Sequence, residues 1–178
     1  MSILTVNPIS RTIRIITWLV LIFLGQNVIA QTPSSPCKDS ENYHKFDYWV
    51  GSWRVEGPKG KVAGTNKIEK ILDGCVILEN WSGAGQSKGK SFNYFNRHTG
   101  KWYQHWVDNF GQTLELEGDI QNGVATFTGE SLDFKGNPVQ NRLTITKISD
   151  NEVRQLWKQS KNNEEWSVVF DGRYVRQE

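Results

Sequence analysis

The sequence predicts one all-β domain, a single antiparallel up-and-down β-barrel of about ten strands, and three observations predict it. Past residue 45 the chain breaks into short runs rich in Val, Ile, Thr, Phe, Tyr and Trp, the residue types that suit a pleated, half-buried surface. Turn residues separate these runs at short, regular spacing, as in a meander of hairpins. No segment keeps a helical period long enough for a real helix. Closing such a meander on itself removes its exposed edges. A two-sheet sandwich is the structural alternative.

The elements follow in chain order. Residues 1–30 have the order of a secretory signal: Arg11 and Arg14 without an acid, the apolar run IITWLVLIFLG, then QNVIA with Val28 and Ala30 at the small-residue positions. Cleavage after Ala30 is expected, giving an exported, periplasmic or secreted protein. The apolar run is short of the roughly twenty residues a membrane span needs, so no membrane insertion of the mature chain is expected. Residues 31–43 read as a polar leader, flexible at its start, and residues 44–177 as the barrel. Its strands are YWVGSWRVEG, KVAGTNKIEKIL, CVILENW, SFNYFN, KWYQHWVDN, FGQTLELEGDI, VATFTGE, VQNRLTITKI, VRQLWKQ and WSVVFDGRYVR. IEKILDG allows one helical turn. Pro58 and Pro138 fall at loop edges, where they break no ladder.

Charge and cysteine content narrow the function classes. The formal charge of +2 is carried by Arg11 and Arg14, so residues 31–178 are neutral. A neutral surface without a basic run gives no electrostatic footprint for nucleic acid. Cys37 and Cys75 are the two cysteines. In an oxidising compartment they would bridge, tying the leader to the third strand; two unpaired thiols are the alternative. Two cysteines without a neighbouring histidine do not make a metal site, and neither metal nor cofactor is expected.

The strand KWYQHWVD poses the functional question. Alternation puts Trp102, Gln104, Trp106 and Asp108 on one face, mixing large rings with hydrogen-bonding groups. Neighbouring runs are mixed in the same way: Glu79 with Trp81, Ser91 with Asn93 and Phe95, Gln155 with Trp157, and Arg142 with Thr144 and Thr146. A face of this kind suits a cavity that meets a small molecule, since such pockets are aromatic and apolar with a few placed polar groups. The expected ligand-binding residues are Glu79, Trp81, Asn93, Trp102, Gln104, Trp106, Asp108, Arg142, Gln155 and Trp157. Equally, the aromatics can simply fill a core, with Glu79, Asn93 and Gln104 hydrogen-bonded to one another. No catalytic residue is assigned, because no nucleophile, metalloprotease, P-loop or dinucleotide motif is present. If the cavity were an active site, Asp108 or Glu79 would be its acid or base. Glu115 and Glu117 share a strand face that reads as solvated.

FDYWVGSWRVEG resembles the first strand of calycin-like barrels, the group of lipocalins, fatty-acid-binding proteins and nitrobindin-like proteins. There a Gly-x-Trp lays its tryptophan across the closed end, a role the resemblance implies for Trp53. GCVILENW, GKSFNYFNRHTGKWYQHWVD, VRQLWKQS and WSVVFDGRYVR resemble a family of exported bacterial proteins that has no settled activity, over roughly residues 44–177. Nitrobindin-like barrels bind haem through a histidine near the C-terminus. This chain departs from that pattern, because its histidines are His44, His98 and His105.

Overall fold

The computed structural model describes residues 35–133 and 135–178. The expected signal segment, its cleavage site and residues 31–34 of the leader lie outside the described residues. Ten strands follow one another: β1 Gly51–Glu56, β2 Val62–Ile71, β3 Val76–Gly83, β4 Lys88–Asn96, β5 Lys101–Asp108, β6 Thr113–Gln121, β7 Val124–Leu132, β8 Pro138–Ser149, β9 Glu152–Ser160 and β10 Ser167–Arg176. Each pairs antiparallel with the next, and β1 pairs with β10, so the barrel is closed and up-and-down. The alternating sequence dictates the two faces: along β6, Leu114, Leu116 and Ile120 are buried while Glu115 and Glu117 are exposed. The turns agree with the sequence too. Asn122 and Gly123 both have positive φ, the geometry that a two-residue hairpin loop requires.

The turns β2–β3, β4–β5, β6–β7 and β8–β9 gather at one end of the barrel, and the remaining five at the other. The first end is sealed. A 3₁₀ turn at Asp47–Trp49 inserts Phe46 and Trp49, whose rings stack at 4.8 Å, and Phe46 meets Trp102 edge-on at 5.7 Å. Trp53 is 1% exposed and donates its Nε1–H to the Trp49 carbonyl at 2.8 Å. The Arg176 guanidinium lies 4.2 Å over the Trp53 ring and donates to the Val50 carbonyl. These rings, with Phe127, Ile145 and Val153, form the apolar core.

The segment expected to be a flexible leader is folded from Ser35 onward. Pro36–Asp39 forms the short helix α1, and Cys37 is bridged to Cys75 across 38 residues. The bridge pins this segment beside the 3₁₀ turn Leu72–Gly74, the one helical turn anticipated in IEKILDG. Among the described residues, no helix is long and apolar enough to cross a membrane.

Candidate functional site

Strand β5 runs from the sealed end to the open end, so its inward side chains sample the whole interior in sequence. Trp102 lies in the apolar core, Gln104 in a polar layer above it, Trp106 in the wall of a cavity, and Asp108 at the cavity's rim. The mixed face of KWYQHWVD is therefore four environments stacked along one strand. Trp102 is corrected by this placement. It was expected at the ligand, but it is 2% exposed and packs against Phe46 and Phe95 below the cavity.

The polar layer is a chain of buried hydrogen bonds crossing six strands. Gln104 Nε2 donates to Asn93 Oδ1 at 2.9 Å, Asn93 Nδ2 to Ser91 Oγ at 2.8 Å, and Ser91 Oγ to Glu79 Oε2 at 2.6 Å. From the other side, Asn66 Nδ2 donates to Glu79 Oε1 at 2.7 Å. Asn66 also approaches Tyr174, whose hydroxyl donates to Gln155 Oε1 at 2.8 Å. Donors from both directions thus converge on Glu79. Burial raises the Glu79 carboxyl above its ordinary range, and the hydrogen bonds from Ser91 and Asn66 oppose that rise. The Tyr174 hydroxyl is raised well above the ordinary tyrosine value, first by burial and then by the charge of Glu79.

Above this layer opens a cavity of about 760 Å³, within the range of small-molecule sites. Glu79, Gln104, Gln155 and Tyr174 form its floor, and Trp81, Trp106, Trp157, Phe170, Leu114 and Leu143 its wall. Trp81 meets Phe170 edge-on at 5.8 Å, and Trp157 Nε1 donates to Asn141 Oδ1 at 2.9 Å. Two glycines make room for the wall. A Cβ on Gly89 would fall 2.2 Å from the Trp106 ring, and one on Gly64 2.7 Å from Trp81. Phe110, Leu132 and Val169 are exposed at the rim. Val169 is the extra residue of a bulge in β10, between Val168 opposite Lys158 and Phe170 opposite Trp157.

The remaining expected residues divide by position. Glu79, Trp81, Gln104, Trp106, Asp108, Gln155 and Trp157 line the cavity. Asn93 is fully buried beneath it, tied to Gln104, Ser91 and the Ile77 carbonyl. Arg142 is corrected: Asn141 and Leu143 point inward, so Arg142 is on the outer face, its guanidinium 4.3 Å over the half-buried Trp166 ring. Asp108 Oδ1 accepts from the backbone N–H groups of Phe110 and Gln112, so it also holds the β5–β6 turn. No histidine lines the cavity among the described residues. His105 faces outward beside Tyr94, and His44 is bonded to Asp47. Sequence reasoning missed Asn66, Tyr174 and Phe170. All three were available from alternation: Tyr174 and Phe170 in FDGRYV, and Asn66 on the Ile68 face of GTNKIE, opposite Lys67 and Glu69.

The fold and the site define a closed ten-stranded antiparallel barrel with one end sealed and the other opening into an aromatic and polar cavity. A family model described as "Protein of unknown function (DUF1579)" matches residues 42–176, and the chain belongs to that family. No curated protein matches the chain. Among solved structures it is similar to a protein with unknown function from the DUF3598 family of Nostoc punctiforme PCC 73102. That similarity is 8% identity over 78% of this chain and 100% of the other, with a TM-score of 0.22, too loose to carry meaning for the chemistry.

Proposed function

We propose that this is an exported small-molecule-binding protein that holds a partly polar ligand in the barrel cavity. The observation that carries the reading is the cavity itself: open at one end, walled by tryptophans and floored by an ordered hydrogen-bond layer. Trp81, Trp106 and Trp157 would stack on the ligand's apolar part, while Glu79, Gln104 and Gln155 would orient its polar part. An open cavity also counts against a filled barrel that acts only through its surface. Export is supported by the signal-like order of residues 1–30 and by the Cys37–Cys75 bridge, which belongs in an oxidising compartment.

Native mass spectrometry of protein purified from its own source tests this. The expected result is a bound species of defined mass that is lost from the Trp106→Ala/Gln104→Ala double variant. Protein that is always bare, from every growth condition, would overturn it. One observation favours a second reading, an enzyme using the same cavity. Glu79 is a buried carboxyl whose raised proton affinity suits a general acid. In that case the bound species would turn over, and Glu79→Gln would abolish turnover while the complex still formed.

A further inference from the structure

The wall and floor of the cavity carry a charge asymmetry that bears on what it holds. Among the described residues that line it there is no lysine, arginine or histidine, while Glu79 and Asp108 stand at inward positions, Asp133 at the rim, and Glu115 and Glu130 border it from outward positions of β6 and β7. Four of these carboxyls are accounted for. Asp108 and Asp133 accept backbone N–H groups of their own turns, and Asp133 has Lys161 3.9 Å away. Glu130 accepts from Gln140, and Glu115 is exposed. Glu79 differs from all of them. It is 3% exposed, has no ion-pair partner among the described residues, and each of its oxygens receives one hydrogen bond, which leaves acceptor capacity on both. Beside it, the buried Asn66 Oδ1 has no hydrogen-bond partner. The floor is therefore short of donors and of positive charge, and a buried carboxylate without a counter-charge is costly. The tryptophan faces above it attract cations in their turn.

We propose that the cavity takes a small organic cation, an ammonium-bearing molecule with an apolar body, whose charged end meets Glu79 and whose body lies among Trp81, Trp106 and Trp157. The proposal rests on the binding reading above and names the ligand class for that same site.

Three probes of equal size separate the two. Phenylbutylamine, phenylbutanol and phenylbutyrate are titrated into the folded protein by calorimetry. The amine is expected to bind about ten-fold or more tighter than the alcohol, with the carboxylate weakest. Glu79→Gln is expected to bring the amine and the alcohol to within about two-fold of each other. A carboxylate that binds as well as the amine, or an amine preference that survives Glu79→Gln, would overturn the cation proposal. An alcohol that equals the amine on the unmodified protein would sink the proposal alone and leave the binding reading standing. Binding by none of the three would count against both. Should Glu79→Gln fail to fold, the ranking on the unmodified protein decides.

Discussion

Glu79 is a carboxyl placed where charge is costly, and that position has a consequence for stability. Burial raises its proton affinity in the folded state relative to the unfolded chain. Between the ordinary glutamic-acid range and the raised value, the folded protein holds the extra proton, so stability falls as pH rises through that window. The groups facing Glu79 are Asn66, Ser91 and Tyr174, and none of them supplies a positive charge. Glu79→Gln should therefore be the more stable protein at neutral and alkaline pH. Its advantage should shrink to nothing as pH falls towards about 4, as read by thermal unfolding across a pH series. A deficit of the variant that grows as pH rises would mean that the carboxylate is the favoured form. A group that lowers stability where it sits is the pattern expected of a site kept for its function.

At the scale of single elements, strand β5 and the sealed end make the clearest comparison with the sequence. Period-two alternation placed Trp102, Gln104, Trp106 and Asp108 on the inner face, and the closed sheet agrees. Alternation holds no information about depth, however, so it could not tell that Trp102 belongs to the core and Asp108 to the rim. Arg142 failed for another reason: the phase of β8 is set by Asn141, Leu143 and Ile145, and a one-residue error in phase turns every side chain over. The bulge at Val169 is invisible in a run as uniformly β-prone as WSVVF. The Cys37–Cys75 bridge was legible from parity alone, but the 3₁₀ plug at Asp47–Trp49 was not. Replacing both cysteines with serine should lower the unfolding free energy by roughly 3–4 kcal/mol in urea titration. Because the bridge lies at the sealed end, probe affinities in the folded variant should stay unchanged. A loss of binding in folded protein would show that the base and the cavity are coupled.

At the scale of the whole molecule, the interior is graded from an apolar base through a hydrogen-bonded layer to an aromatic chamber with an acid-only lining. The tryptophans are distributed along that gradient. Trp49, Trp53 and Trp102 are sealed in the base; Trp81, Trp106 and Trp157 stand in the chamber wall; and Trp166 lies half-buried on the outer face beneath Arg142. Each set should therefore answer to a different collisional quencher of fluorescence. Local charge sets the concentration of a small ion near a surface. Caesium should be drawn to the wall set, iodide should be repelled there yet find Trp166 beside its guanidinium, and neither should reach the base. Trp166→Phe should then remove most of the iodide response and leave the caesium response intact. Equal responses to both ions after that substitution would mean that the chamber carries no effective negative field. The uneven placement of the seven indoles among the described residues thus gives the folded protein an optical readout of its own interior electrostatics, without any attached label.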